Sequence, residues 1–486
     1  MNSYIVGAGI LNIVTESLYD KPIVVFREYV QNSVDSFLKT VNRTNKDIFK
    51  IVIWVKDNDL FFLDNGAGIA ANAFYSQMIS IAMSYKRKAT NLGYKGIGRL
   101  SGIPYCSELE FINICNYDKK EFQKYTISNN KYNEIKKSNE YSQMSFNELM
   151  QAIGDFDEQV SDQEIENISK IIRDYQDLFT IQKTGFIVCL KGFNEILKST
   201  MENSEFIEDL NWLLPVRFKK ELLSSSVGEL FEEITEKQDE KNIPAQAFSI
   251  TFNGIELERP ITESMLRDYV CKCDLTYAVC VHSFRRDKIA INKGNKFSGI
   301  RIYIDNMLLC DESELLPILQ QYGFIQHTAN ELIQSVKGIG AMIYITDKVN
   351  ISANARRTFI EVTDDSSIEF LKKIAEFIAN IYNARYALSK YSSAKKNMEE
   401  KKADIDDFKE KANHALVKLA QESIQIDEPE FDTPNFNELN LTEQKQIVKQ
   451  KIAKEINKKI RSYLSQANTF DYENAYEDFK VWLSSN

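Results

Sequence analysis

Phe26-Arg27-Glu28-Tyr29-Val30-Gln31-Asn32-Ser33-Val34-Asp35 divides into two faces when wound as a helix at about 100° per residue. Glu28, Asn32 and Asp35 fall on one face, and Phe26, Val30, Val34 and Phe37 on the opposite one. One face is expected to pack while the other stays free for chemistry. Alone, the stretch would equally describe a surface helix with a solvated polar side. Its successors in the chain decide the matter. Leu63-Asp64-Asn65-Gly66-Ala67-Gly68-Ile69 closes an apolar strand with an acid and two glycines spaced by one residue, a layout that lets backbone approach a ligand closely. In isolation it would also fit an ordinary Asp-Asn-Gly turn. Gly93-Tyr94-Lys95-Gly96-Ile97-Gly98-Arg99 follows, a glycine-rich loop whose successive N–H groups can wrap phosphate oxygens. A flexible surface loop is the plain alternative.

Residues 1 to about 215 alternate helical and strand-like patterns. Glu16 to Thr40 reads as a helix, Ile51 to Leu63 as two strands around Lys56-Asp57-Asn58-Asp59, and Glu108 to Cys115 as another strand. From about 117 to 182 the chain turns polar, which predicts a helical insertion that splits one sheet in chain order before the strand pattern returns at Thr184 to Leu190. A charged connector, Glu229 to Asn242, leads to a second α/β unit over about 245–380, with strands expected at Phe248–Phe252, Tyr277–Ser283, Arg301–Ile304 and Ala341–Thr346. Beyond 381 the composition predicts helices flanking an acidic, proline-containing stretch, suited to dimerisation, partner binding or plain packing.

The chain has 486 residues, too many for one core, with 43% hydrophobic and 27% charged residues, which excludes global disorder. A net charge of -10 gives no general attraction to nucleic acid or anionic membranes. No apolar run reaches the roughly 20 residues of a membrane span. The seven cysteines lie scattered in mostly apolar runs, and with no leader-like amino terminus a reducing, cytoplasmic setting is expected. Cys271, Cys273 and Cys280 with His282 raise a zinc site, but the C-x-C spacing is unusual for one and Tyr277-Ala278-Val279-Cys280-Val281 alternates as a strand does.

Taken in order, the helix with E-x3-N-x2-D, the strand end D-x-G-x-G and the loop G-x2-G-x-G resemble the ATP site of the GHKL superfamily. Gyrase, the ninety-kilodalton heat-shock chaperones, MutL proteins, sensor histidine kinases and MORC proteins share that site. The resemblance implies an α+β architecture: an N-terminal Bergerat-type α/β sandwich, a second transducer-like α/β domain and a C-terminal helical region. It implies ATP and Mg2+ as ligands, with Asn32 holding the metal, Asp64 binding the adenine amino group, Glu28 acting as general base, and Asp35, Gly66, Gly68, Gly93, Gly96, Ile97 and Gly98 lining the pocket. Residues 70–98 would form the lid, with Lys86, Arg87, Lys88 and Lys95 as its charges. The family's late Gly-Thr pair appears inverted here, as Thr184-Gly185, so Thr184 is either its counterpart or a strand residue.

Arg301-Ile302-Tyr303-Ile304-Asp305-Asn306, Glu314-Leu315-Leu316-Pro317 and Val349-Asn350-Ile351-Ser352-Ala353-Asn354-Ala355-Arg356-Arg357 resemble the middle domain of the heat-shock chaperones. By that resemblance Arg356 or Arg357 reaches the γ-phosphate. Lys337, in Ser335-Val336-Lys337-Gly338-Ile339-Gly340, is the rival, since gyrase and MutL relatives use a lysine there. The expected activity is Mg2+-dependent ATP hydrolysis driving a lid and dimer-clamp cycle, with a homodimer and an unidentified protein partner. Two alternatives stand beside it: a DNA-associated MORC- or MutL-like ATPase, such as one in a bacterial defence system with a nuclease, and an ATP-sensing module without turnover.

Overall fold

In the computed structural model, β1 (Phe49–Lys56) and β2 (Asp59–Asp64) form the expected hairpin, which turns through Asp57 at a left-handed φ of 55°. The structure describes residues 6–13, 21–38, 49–80, 97–219, 248–273, 277–284, 299–304, 307–324, 339–345, 352–353, 360–361, 365 and 368–375. Both hairpin strands are apolar on both sides because both sides are covered. Ile51, Ile53, Leu60 and Phe62 face one core, and Val52, Trp54, Phe61 and Leu63 face another.

Eight strands make the sheet of the first unit. Besides the hairpin these are β3 (Glu108–Asn116), β4 (Glu121–Ser128), β5 (Gly154–Asp157), β6 (Gly185–Lys191), β8 (Phe248–Phe252) and β9 (Ile255–Glu256), in the order β5-β4-β3-β6-β2-β1-β8-β9. A short β7 (Arg217–Phe218) pairs separately with β10 (Glu258–Arg259). On one face the long helix α2 (Ile23–Leu38) lies over the hairpin. Its Phe26 meets Phe62, Phe206 and Phe252 edge to face, and Phe37 stacks on Phe49. A preceding short helix, α1 (Ile10–Asn12), buries Leu11 on the same side.

The 117–182 segment departs from the helical insertion expected of it. It does split the sheet in chain order, because β6 pairs with both β2 and β3. It also contributes two strands of its own, β4 and β5, beyond β3. β4 reads as polar because its charge is internally compensated: Lys124 Nζ lies 2.9 Å from Glu110 Oε1 and 2.6 Å from Glu164 Oε1. The helices between and after these strands are α4 (Asn129–Lys136), α5 (Phe146–Ile153) and α6 (Asp162–Ile171), and α3 (Ala71–Ile79) precedes β3. Ile168, Ile172, Leu178 and Phe179 cover the second face of the sheet, so this segment is integral to the core.

A second difference lies at the border of the units. Phe248–Phe252, expected to open the second one, pairs in parallel with β1 and extends the first sheet, where Ile250 and Phe252 complete the core over α2. The first unit accordingly includes the described residues 248–260 as well as those up to 219. Two further helices, α7 (Glu195–Met201) and α8 (Phe206–Leu213), belong to it, and the buried Arg259 guanidinium donates to the carbonyls of Asn211 and Trp212 at the end of α8.

The other unit carries a five-stranded sheet of β11 (Leu266–Cys273), β12 (Tyr277–Phe284), β13 (Gly299–Ile304), β14 (Met307–Asp311) and β15 (Ile339–Ile345), ordered β11-β12-β15-β13-β14. Strands are thus present where Tyr277–Ser283, Arg301–Ile304 and Ala341–Thr346 were expected. Helix α9 (Glu312–Gln321), capped by Asp311, contains the Glu314-Leu315-Leu316-Pro317 segment, and a helix over 368–375 buries Phe370, Leu371 and Ile374. β16 (Ser352–Ala353) pairs with β17 (Ile360–Glu361). Cys280 lies in a strand, opposite Cys271, and no metal-binding cluster forms among the described residues. No described helix is long and apolar enough to cross a membrane. The helical region expected beyond 381 lies outside the described residues.

Candidate functional site

The polar face of α2 is not free, contrary to the expectation from its pattern. Glu28 is 7% exposed and Asp35 is fully buried, while Asn32 keeps partial exposure. The reason is tertiary. The end of β2 meets this helix at Ser33, and the turn after the glycine-rich loop meets it at Glu28, so what looked like a solvated stripe belongs to a packed wall.

At the end of β2 the Asp64 carboxylate is held by two donors. Ser33 Oγ, on α2, stands 2.8 Å from Oδ2, and the Gly66 N–H donates to Oδ1 at 2.9 Å. Burial outweighs both hydrogen bonds and pushes the carboxyl up to about 7. An ionised carboxylate offers about four acceptor positions, so capacity remains for a further donor. The two glycines are required sterically. A Cβ at Gly66 would overlap Ser36 and sit 2.9 Å from Asp64 Oδ1; one at Gly68, where φ is +61°, would sit 2.9 Å from Asn113 Oδ1 and 3.1 Å from the Gly185 carbonyl. Thr184 reaches this loop, but its hydroxyl donates to the Gly66 carbonyl at 2.7 Å. The hydroxyl that supports the acid directly is Ser33.

The same helix meets the glycine-rich loop one turn earlier. A Cβ at Gly98 would overlap Glu28 Oε2, so any larger residue there would push the carboxylate out of its present position against the loop's end. Arg27 Nη2 lies 3.3 Å from Glu28 Oε1. Ile97 is partly buried against the core beside it. Tyr29 fixes the turn that follows: its hydroxyl donates to the Arg99 carbonyl at 3.1 Å and accepts from the Gly102 N–H at 3.0 Å, while burial pushes its phenol far up. Glu28 and Ser33 are thus separated by about 7 Å along one helix, at about 1.5 Å per residue. That helix joins the loop end to the buried acid.

Four residues that build the site carry no motif letter: Ser33, Tyr29, and the buried amides Asn113, whose Oδ1 accepts from the Ile69 N–H, and Gln123, whose Nε2 donates to the Ala71 carbonyl. Ser33 and Tyr29 lie inside the quoted helix, and a hydroxyl beside each motif residue was the available signal. An amide in the apolar run Phe111-Ile112-Asn113-Ile114 was the signal for Asn113. Gly93, Gly96, the lid charges Lys86, Arg87, Lys88 and Lys95, and the candidates Arg356, Arg357 and Lys337 lie outside the described residues.

These residues fit a magnesium nucleotide. The glycines clear backbone for close approach, Asp64 retains acceptor capacity for an exocyclic amine, and Asn32 offers a hard oxygen of the kind Mg2+ takes together with phosphates and water. Residues 21–160 match the family model described as histidine kinase-, DNA gyrase B-, and HSP90-like ATPase. The match spans α2, the hairpin, the glycine-rich loop and β3 to β5. No curated protein matches the chain.

Proposed function

We propose that this chain, whose residues 21–160 are a GHKL-type ATPase domain, binds ATP with Mg2+ between α2, the end of β2 and the glycine-rich loop, and hydrolyses it. The observation that carries the reading is the convergence of three separated motifs on α2: Ser33 holds the buried Asp64, and Glu28 stands against Gly98. Asp64 accepts from the adenine amine, with Ser33 and the Gly66 N–H fixing its orientation. Asn32 supplies an oxygen to Mg2+, which offsets phosphate charge when bound. Asp35, buried one turn on, belongs to the same wall of the pocket.

For hydrolysis, Glu28 takes a proton from the attacking water as its oxygen bonds to the γ-phosphorus and the bond to the bridging oxygen of ADP breaks. Arg27 beside it keeps the carboxylate oriented. The second unit adds Arg356 or Arg357, with Lys337 as rival, to offset charge on the transferring phosphoryl group. The loop resembling the heat-shock chaperones supports the arginines. Closure of the lid and pairing of two copies then make ATP a switch that hydrolysis resets.

Phosphate release by the wild type, with Mg2+ present and after chelation, tests the enzymatic part. Metal-dependent release is expected, and its absence at every ATP concentration would remove it. Sedimentation with a non-hydrolysable ATP analogue tests the switch, which fails if the analogue leaves the association state unchanged.

A further inference from the structure

Asn113 occupies the middle of β3, fully buried, at a position whose neighbours in the strand are Phe111, Ile112 and Ile114. A buried primary amide there requires partners, and it finds them both in the loop after β2 and on the adjacent strand. Its Oδ1 accepts from the Ile69 N–H at 2.9 Å and its Nδ2 donates to the Ile69 carbonyl at 2.7 Å, gripping one residue of the loop at both backbone groups. The second Nδ2 hydrogen faces Gln123 Oε1 at 3.1 Å on the adjacent strand, where the two residues are register partners. Gln123 is itself nearly buried, and its Nε2 donates to the Ala71 carbonyl at 3.1 Å.

We propose that Asn113, backed by Gln123, is a positioning residue for nucleotide binding; the inference rests on the ATP-binding reading above. The segment Asp64 to Ile69 carries the acid-and-glycine motif and is anchored at several points, among them the Asn65 side chain, which accepts from the Lys50 N–H and donates to the Leu178 carbonyl. The Asp64 carboxylate holds the Gly66 N–H, Thr184 holds the Gly66 carbonyl, and Asn113 holds Ile69. Of these anchors the last alone acts beyond Gly68, whose left-handed backbone packs on the Asn113 amide oxygen. Without it this stretch loses both side-chain bonds to Ile69, and Gln123 on the Ala71 carbonyl is the next described hold along the chain. The pair therefore sets the conformation in which Gly66 and Gly68 present backbone to the ligand, while touching no ligand itself.

The test uses the full chain carrying Asn113→Leu, which keeps side-chain size in an apolar strand while removing the grip, and Gln123→Met, which leaves the Ile69 contacts in place. Affinity for a non-hydrolysable ATP analogue is measured by calorimetry, with hydrogen exchange of the 66–71 backbone followed without nucleotide. Asn113→Leu should weaken binding about tenfold or more, equivalent to about 1.4 kcal/mol, and speed exchange across 66–71. Gln123→Met should do both more weakly, and it carries the test if the first variant does not fold. A merely structural role would lower the melting temperature and leave the affinity of the folded protein unchanged, which overturns the proposal, as does unchanged exchange at 66–71. If the wild type itself fails to bind the analogue, the ATP-binding reading falls and this inference with it.

Discussion

Replacing Asp64 by asparagine should make the nucleotide-free protein more stable at neutral pH while removing its ability to bind ATP. The carboxyl titrates near 3.8 when solvated and is pushed up to about 7 in the fold, chiefly by burial. Because the folded protein binds this proton more tightly than the unfolded chain, the group's contribution is fully present below about pH 4 and is lost as pH rises to about 7. At about 1.4 kcal/mol per pH unit, the penalty approaches roughly 4 kcal/mol above pH 7. Asparagine cannot ionise, and its amide preserves both local hydrogen bonds: Oδ1 accepts from the Gly66 N–H, and Nδ2 donates to Ser33 Oγ. The variant's advantage over wild type should therefore grow by about 3 kcal/mol between pH 5 and pH 8 and then level off. Urea unfolding of both proteins at a series of pH values reads this directly. In parallel, Mg-ATP should raise the melting temperature of the wild type and leave that of the variant unmoved, since Nδ2 would meet the adenine amine as a second donor. A variant less stable than wild type at pH 8, a gap that ignores pH, or retained ATP binding would each refute the reasoning.

Tyr29→Phe removes the hydroxyl that joins Arg99 and Gly102 while keeping the ring against Phe62. A loss of about 1–3 kcal/mol is expected, with turnover falling as the turn beside Glu28 loosens; denaturant titration and phosphate release check both. Gly66→Ala forces a Cβ into Ser36 and should destabilise by about 1–3 kcal/mol and weaken ATP binding, while adding Ser36→Gly should recover much of the stability. A thermal-melt double-mutant cycle reads that coupling, and additive effects would contradict it. Arg356→Ala and Arg357→Ala, compared with Lys337→Ala, should single out the γ-phosphate partner as the change that lowers turnover about 100-fold or more with little effect on affinity; steady-state kinetics on the three variants decides among them.

Helix α2, the hairpin and strands β3 and β6 were legible because each carries a local signature: opposed faces at helical spacing, or apolar runs long enough for a strand. The sheet's extent was not. β4 hides among charged residues because Lys124 is neutralised by Glu110 and Glu164, which lie far from it in sequence. β8 was assigned to the wrong unit because a parallel pairing with β1 across the intervening chain leaves no local trace. At the site, glycines and acids were visible as motif letters, whereas their supports were not. Asn113 acts through a loop more than forty residues away, and Ser33 through a carboxylate on another element. The burial of Glu28 and Asp35 has the same origin, since periodicity assigns a face but not what covers it.

On the proposed function, one carboxylate on α2, that of Glu28, turns ATP binding into hydrolysis. The most direct measurement is the identity of the nucleotide held by Glu28→Ala and by wild type after both are mixed with substoichiometric radiolabelled ATP and Mg2+ and separated from free ligand. The wild type should hold or have released labelled products, with ADP as the bound species. The variant should bind with similar affinity and retain intact ATP, its turnover lower by about 100-fold or more. If Glu28→Ala converts ATP as fast as the wild type, the assignment of Glu28 as general base is wrong.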